Sequence, residues 1–221
     1  MSAQNRTTLK GYFNTGDKPT ETQFTNLIDS GLNLTDGGTV AGATAFSGFA
    51  TANAVGGGFD GAETCTVTVG NFNGTIITKI VVDITGLLVS GTVKDVIGED
   101  GVAAAYMTQV TTAVNGIVYA ADIACLETPA GSNTEADIDL VTSSNSLAED
   151  ALYDSGTTEV ALCPAGADYV AGMFTRSASG LDCNNISANS HYIYLADGSG
   201  AASGGTYTAG KFIINLYGHA V

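Results

Sequence analysis

The strongest constraint on the fold of this chain is a series of short segments, between residues 64 and 217, that are rich in β-branched and aromatic residues. Turns rich in Gly, Asn and Asp separate them, and Asn73-Gly74 is a strong signal for a two-residue hairpin. The predicted strands are Thr64–Val69, Thr75–Thr85, Val102–Val110, Gly116–Leu126, Ala136–Thr142, Thr157–Leu162, Tyr169–Thr175, His191–Ala196 and Thr206–Tyr217. No fixed repeat period relates them, which argues against a solenoid. The pattern predicts an all-β body over residues 59–221, a jelly-roll-like β-sandwich.

A polar N-terminal segment, residues 1–36, carries the signature of one short amphipathic helix. Thr20 is a suitable N-cap, Gln23 completes a capping box, and Gly31 is a suitable stop. Three apolar residues follow at helical spacing: Phe24, Leu27 and Ile28. A helix of about ten residues is marginal alone in water, so we expect it to pack on its own body or on another protein.

Residues 37–58 join this segment to the body and consist almost entirely of Gly, Ala, Ser and Thr, without a charge. Such a composition is typical of a linker or an extended arm. Apolar residues are scattered through it, at Val40, Phe46, Phe49 and Val55. We therefore expect an arm that lies on a protein surface rather than a free tether.

The charge balance narrows the range of partners. Lys and Arg number 7 against 22 Asp and Glu, which gives a net charge of −15. A chain so poor in cations is not expected to bind nucleic acid or an anionic membrane surface, and it has no apolar run near the ~18 residues of a membrane-spanning helix. The abundance of small neutral residues is typical of a surface that packs against copies of itself.

Two glycine motifs match phosphate-binding patterns, but neither has the expected context. Residues 56–61 fit GxGxxG and residues 205–211 fit GxxxxGK, yet each precedes a predicted strand where the chemistry requires a helix. The only histidines, His191 and His219, lie in no metalloprotease motif. We therefore predict no enzymatic activity and no cofactor, and interpret residues 205–211 as a strand interrupted by a turn or bulge.

Three carboxylates alternate within a predicted strand: Glu135, Asp137 and Asp139. Side chains at this spacing point to one face, where they are either solvated or bridged by a cation. The solvated face is the favoured interpretation. A metal site at an oligomer seam is the weaker alternative, and a glycosidase carboxylate pair is weaker still.

The four cysteines are too far apart in sequence to form a paired metal-ligand motif. Buried free thiols are the default expectation for Cys65, Cys125, Cys163 and Cys183. One disulfide between distant strands stays open as an alternative.

Residues 9–30 carry an aromatic pair at Tyr12-Phe13, then Gly-Asp-x-Pro-Thr, Gln-Phe and Leu-Ile-Asp-Ser in register. This segment resembles an N-terminal motif of virion-associated proteins of tailed bacteriophages. The body is similar to compact β-rich surface proteins of marine and freshwater phages, chiefly over residues 78–91 and 205–218.

The resemblance implies a capsid decoration (cement) protein located in the virion and assembled in the host cytoplasm. We expect a homotrimer seated where subunits of the major capsid protein meet, with residues 1–58 clamped across them. The expected partner-binding residues are Tyr12, Phe13, Asp17, Pro19, Phe24, Leu27 and Ile28.

Two other functions are weighed against this one. The first is a tail or head fibre that contacts host glycans through tyrosines near the C-terminus: Tyr192, Tyr194, Tyr207 and Tyr217. The second is a polysaccharide depolymerase, which lacks any supporting motif.

Overall fold

The structure is a computed structural model. The chain forms two compact units, Met1–Phe46 and Ser47–Val221. We call them the N-terminal unit and the β body. The residues that the structure describes are 6–29, 51–52, 56–59, 65–154, 160–164, 166–178, 183–198 and 204–221. The β body begins at Ser47, earlier than the residue 59 predicted from the sequence, because the end of the predicted arm joins the body.

The described part of the N-terminal unit contains helix α1 (Arg6–Gly11) and helix α2 (Glu21–Asp29). The capping box predicted at the start of α2 is confirmed. The Thr20 N–H donates to Gln23 Oε1 at 2.8 Å, and the Gln23 N–H donates to Thr20 Oγ1 at 3.3 Å. Helix α1 was not predicted, because its sequence has neither a capping signal nor an apolar stripe. The predicted stop at Gly31 lies outside the described residues.

The described β body is built from strands and a few short helical segments. The strands are β1 (Thr51–Ala52), β2 (Cys65–Phe72), β3 (Thr75–Asp83), β4 (Leu88–Val89), β5 (Thr108–Gln109), β6 (Ile117–Gly131), β7 (Ile138–Ser143), β8 (Val160–Cys163), β9 (Phe174–Arg176), β10 (Tyr192–Asp197) and β11 (Gly205–His219). The helical segments are a 3₁₀ turn at Gly57–Phe59, helix α3 (Thr112–Asn115) and helix α4 (Asn184–Ala188).

Within the described residues the strands form two antiparallel sheets. The larger has the order β1-β2-β3-β11-β6-β9, with β4 also paired to β11, and the smaller has the order β5-β10-β7-β8. The predicted hairpin between β2 and β3 is confirmed, with Asn73 at φ 54° and Gly74 at φ 92°, both positive as a type I′ turn requires. The all-β prediction is confirmed, whereas this strand order does not establish jelly-roll connectivity.

One hydrophobic core draws side chains from both sheets. Along β11, Phe212, Ile214 and Leu216 alternate with less buried residues and are at most 1% exposed. They share a cluster with residues of the smaller sheet such as Leu140 and Leu195. Because each sheet contributes one face to this core, the larger sheet keeps a second face, which we call the outer face.

The described end of the predicted arm lies on its own β body. Strand β1 pairs with β2, and the Gly58 N–H donates to the Ala104 carbonyl at 2.9 Å. A Cβ on Gly58 would lie 2.7 Å from Ala105 Cα, so only glycine allows the two backbones to come this close. The next residue, Phe59, is buried. These residues are therefore part of the body, which corrects the prediction that the clamp extends to residue 58.

Two strand predictions were too long. Only Thr108–Gln109 of residues 102–110 is a strand. The backbone of this segment has no single partner strand, because the Ala105 N–H donates to the Leu147 carbonyl, whereas the Met107 N–H donates to Ile193 in β10. In residues 169–175 the strand begins at Phe174. Tyr169 instead packs edge-on against Phe212 in the core, with ring centroids 5.4 Å apart. Strand β8 extends one residue beyond the predicted end, to Cys163, and residues 155–159 lie outside the described part of the chain.

Candidate functional site

Four apolar side chains of the N-terminal unit remain exposed, and we call them the apolar strip. Their exposed fractions are 44% for Phe13, 48% for Phe24, 40% for Leu27 and 73% for Ile28. Phe13 and Phe24 contact each other edge to face, with ring centroids 5.8 Å apart. Two members of the strip are therefore already fixed relative to each other before any partner is met.

The other expected partner-binding residues shape the connection between α1 and α2. Tyr12 is half-buried, and its hydroxyl accepts a hydrogen bond from Asn26 Nδ2 at 3.4 Å. Asp17 is exposed, and its N–H donates to the Asn14 carbonyl at 3.0 Å, which closes a turn. Pro19 is half-buried directly before the N-cap. These contacts orient the helices that present the apolar strip.

The structure separates the three alternating carboxylates. Strand β7 begins at Ile138, so the prediction of one shared strand face is wrong for Glu135 and Asp137. Burial and the nearby carboxylates of Asp139 and Asp168 raise the pKa of Asp137. Among the described residues, no group of three His, Cys, Asp or Glu side chains is placed to hold a metal ion.

Neither glycine motif forms a phosphate loop in the described residues. Gly57–Phe59 is a single 3₁₀ turn, and the next described element is strand β2. Residues 205–211 lie within β11, whose pairing with β6 shifts register at three places between Tyr207 and Phe212, as expected for a bulged strand. In the described residues, each motif is thus followed by or lies within a strand rather than opening a helix.

The two histidines differ in their degree of burial. His191 is buried, with Nδ1 3.1 Å from Thr142 Oγ1. His219 is exposed at the end of β11, where its ring stacks on Tyr119 with centroids 4.4 Å apart.

The outer face of the larger sheet carries a row of polar residues that the sequence analysis missed. Strand register places one residue from each of five neighbouring strands in this row: Arg176, Asp122, Asn215, Lys79 and Thr68. The alternation of Asn215, Tyr217 and His219 along the C-terminal strand is visible in the sequence. Their neighbours on β6 and β9 are not, because only the sheet register brings them together.

Asp122 is the organising group of this row. It is 4% exposed, although it lies on the face opposite the core. One carboxylate oxygen accepts from Asn215 Nδ2 at 2.8 Å, and the other accepts from the Tyr217 hydroxyl at 2.7 Å. Burial and this hydrogen bond to the carboxylate raise the pKa of Tyr217 to about 12. The tyrosine therefore remains a neutral, oriented hydroxyl at physiological pH.

A surface concavity of about 380 Å³ lies beside Asp122. Its lining consists of Ala120, Ala121, Asp122, Arg176, Ser177 and Tyr217. The Arg176 guanidinium lies 5.1 Å from the ring centroid of Phe174, at cation–π distance. The exposed ring of Tyr119 lies 6.5 Å from that of Tyr217. Planar, aromatic and hydrogen-bonding groups are thus grouped at one place on the sheet.

Three of the four cations of the β body lie on this outer face: Lys79, Arg176 and Lys211. Lys211 is neutralised by Asp83 at 3.3 Å and Glu127 at 3.4 Å. Arg176 makes no ion pair with any residue that the structure describes. From Ser47 onwards the sequence has 4 cations against 18 carboxylates, so this face is much less acidic than the body as a whole.

Most of the tyrosines expected to meet glycans are not available for contact. Tyr194 and Tyr207 are buried, and the Tyr207 hydroxyl donates to the Glu135 carbonyl at 2.8 Å. The ring of Tyr192 packs against Tyr106, with centroids 4.6 Å apart. Of the four, only Tyr217 belongs to the outer-face concavity.

The four cysteines are buried free thiols. Burial raises the pKa of Cys65 to about 12, and burial with nearby charged groups raises that of Cys163 to the same value. These thiols therefore stay protonated and are poor nucleophiles or metal ligands.

Comparisons with known proteins found no matching family model, no matching curated protein and no matching solved structure. None of the helices in the described part of the chain is both long and apolar enough to span a membrane.

Proposed function

We propose that the protein is a non-enzymatic structural protein of a tailed-phage virion, a capsid decoration protein that docks through its N-terminal unit. Its partner is the major capsid protein or another virion protein. The observation that carries this proposal is the exposed apolar strip, three of whose four members lie on helix α2, which has a complete capping box. The bacteriophage-like motif over residues 9–30 covers the same segment and supplies the class of protein.

The energetics favour docking over an isolated helix pair. Burying the exposed parts of Phe13, Phe24, Leu27 and Ile28 contributes on the order of 1 kcal/mol for each side chain. The capping box and the Phe13–Phe24 contact hold part of this surface in place, which lowers the entropy lost on binding. A modest gain at each contact stabilises a shell strongly when it is repeated over many equivalent sites.

The charge distribution fits the same role. Residues 1–46 contain 3 cations and 4 carboxylates, whereas almost all of the net charge of −15 belongs to the body. Bodies of adjacent copies repel one another wherever their acidic surfaces approach, while the nearly neutral N-terminal unit does not. Attachment at a three-fold position as a homotrimer, and a jelly-roll-like connectivity of the sandwich, belong to this proposal.

A matched pair of double variants tests the docking surface. Phe24→Ser/Leu27→Ser removes two members of the apolar strip. Phe72→Ser/Leu152→Ser removes the same residue types from the β body at similar exposure, 54% and 42%. Each variant is mixed with heads assembled without this chain, and bound protein is measured after co-sedimentation. We expect the strip variant to lose most of its occupancy and the body variant to bind like the wild type.

The opposite result, in which the body variant fails to bind and the strip variant retains full occupancy, would overturn docking by the N-terminal unit. A fibre would use the same kind of anchor but a different position on the particle. Electron microscopy of labelled particles separates these roles, since label distributed over the head lattice supports decoration and label at the tail or at single projections supports a fibre.

A further inference from the structure

We infer that the concavity on the outer face of the β body is a binding site for a neutral saccharide. This site is separate from the apolar strip and goes beyond the proposed docking function. Its lining includes the hydroxyl of Tyr217, the guanidinium of Arg176 and the hydroxyl of Ser177, and the stacked rings of Tyr119 and His219 lie beside Tyr217 at its edge.

The hydrogen-bonding groups of the site are oriented before any ligand arrives. Both oxygens of Asp122 already accept hydrogen bonds, so this buried carboxylate holds Asn215 and Tyr217 in fixed directions. The Tyr217 hydroxyl donates its proton to Asp122 and keeps a lone pair that accepts from a ligand hydroxyl. Ser177 Oγ accepts from the Ala121 N–H at 3.1 Å, which leaves its own O–H to donate. Fixed groups of this kind reduce the ordering cost of binding.

Arg176 supplies the complementary donors. Its guanidinium is exposed, makes no ion pair with a described residue, and lies over the Phe174 ring. A planar fork of N–H groups matches two neighbouring oxygens of one ligand, a geometry that adjacent sugar hydroxyls present. Elsewhere on this face, Lys211 is already neutralised by two carboxylates, so Arg176 is the cation at the concavity that can serve a ligand.

Aromatic surface and charge narrow the ligand class to a sugar without an acidic group. Tyr119 is 45% exposed and stacks on the exposed His219, which gives a flat apolar area beside the polar groups. A sugar ring has the same two-sided character, with C–H groups on its faces and hydroxyls at its rim. An acidic sugar or a phosphate is disfavoured because the carboxylate of Asp122 lies in the lining of the concavity.

The test is a titration of the full chain with neutral oligosaccharides. Binding is measured from the shifts of amide signals in ¹H–¹⁵N spectra. The panel contains di- and tetrasaccharides of glucose, galactose, mannose and N-acetylglucosamine, and an oligomer of galacturonic acid is the charged comparison. We expect one or more neutral sugars to shift the amides of residues 119–122, 176–177 and 217–219. Arg176→Lys and Tyr119→Ala should each weaken binding about tenfold, since both truncate central contacts.

Two variants serve as controls. Phe72→Ala removes an exposed aromatic ring of the same sheet outside the concavity, and it should bind sugar like the wild type. Phe24→Ser/Leu27→Ser should also bind sugar normally, so that failure of the docking proposal and failure of the sugar site are distinguishable.

The inference is overturned if no neutral sugar in the panel binds at millimolar concentration, or if the shifted amides lie away from the concavity. It is also overturned if Arg176→Lys and Tyr119→Ala leave sugar binding unchanged but abolish self-association measured by sedimentation. That result would assign the face to a second copy of the chain.

Discussion

Helix α2 and strand β11 both carry apolar residues at regular spacing, but the two regions use them differently. In β11 the inward residues Phe212, Ile214 and Leu216 are almost completely buried, whereas in α2 the side chains of Leu27 and Ile28 are 40% and 73% exposed. The apolar face of β11 is covered by the β body itself, whereas the apolar face of α2 stays exposed. A periodic apolar pattern therefore shows that a face exists without showing whether the chain itself covers that face.

The same contrast appears in what stabilises each region. The body depends on a shared core and on pairing between strands distant in sequence. The described N-terminal unit depends on short-range contacts, namely the capping box, a turn at Asp17 and one aromatic pair. Such local stabilisation is modest, which is consistent with the proposed docking of this unit on a partner.

The largest expected difference between the regions is the response to removing a phenylalanine. Phe212→Ala should lower the free energy of unfolding by about 3–5 kcal/mol, because a fully buried ring is lost from the core. Phe24→Ala should change it by less than about 0.5 kcal/mol, because this ring is half-exposed. Urea denaturation of both variants measures the difference. Equal losses would show that the N-terminal helix is part of the cooperative body.

Two glycines at positive φ, one in each unit, should respond differently to substitution by alanine. Gly116 has φ 67°, and a Cβ there would lie 2.1 Å from the His219 carbonyl oxygen, so Gly116→Ala must displace the end of β11. We expect a loss of about 1–3 kcal/mol in unfolding free energy. Gly16 has φ 94° with open space around it, so Gly16→Ala introduces only local backbone strain. Thermal denaturation should show a clear fall in midpoint for the first variant and almost none for the second, and the reverse order would contradict this account.

Removing the N-cap should destabilise helix α2 without affecting the β body. Thr20→Ala deletes the hydroxyl that accepts from the Gln23 N–H, and loss of an N-cap weakens a helix by about 1 kcal/mol. Amide hydrogen exchange should become faster over residues 21–29, while the body retains its protection and thermal midpoint. Thr25→Ala is the control within the same helix, and equal acceleration in that variant would rule out the cap as the cause.

The smallest expected effect is a shift of body stability with pH. Burial and nearby carboxylates raise the folded-state pKa of Asp137, and those of Asp95 and Glu149 are also raised by burial and neighbouring carboxylates. A carboxyl with a raised folded pKa destabilises the fold when ionised, so stability increases as pH falls through that pKa. We expect the thermal midpoint of the body to rise slightly as the pH falls from 7 towards the ordinary carboxyl pKa of about 4. Asp137→Asn should reduce this dependence.

Asp83 provides the control of opposite sign. Burial alone would raise its pKa, but hydrogen bonds from Thr85 and the nearby Lys211 outweigh burial and lower it. A lowered folded pKa stabilises the fold above the unfolded pKa, and this contribution is lost as pH falls through the folded value. Asp83→Asn should therefore lower the midpoint at pH 7, and a rise in that variant would contradict the assignment.

Short-range signals predicted much of the secondary structure. The Thr20–Gln23 capping box, the Asn73-Gly74 turn and the strand at the C-terminus are encoded by neighbouring residues, so the sequence was sufficient to find them. The extents of β5 and β9 were predicted poorly. There the backbone hydrogen bonds go to partners distant in the chain, and Tyr169 is drawn into the core instead of extending a strand.

The two candidate sites also differ in whether the sequence alone could predict them. Three members of the apolar strip, Phe24, Leu27 and Ile28, were identifiable from spacing, because about one helical turn places them on a single face. The concavity was not, because Asp122 meets Arg176 on one side and Asn215 on the other only through the register of β6 with β9 and β11. Alternation along a strand decides which residues share a face. The long-range pairing of strands, stabilised by burial of the opposite face, decides which faces and which neighbours come together.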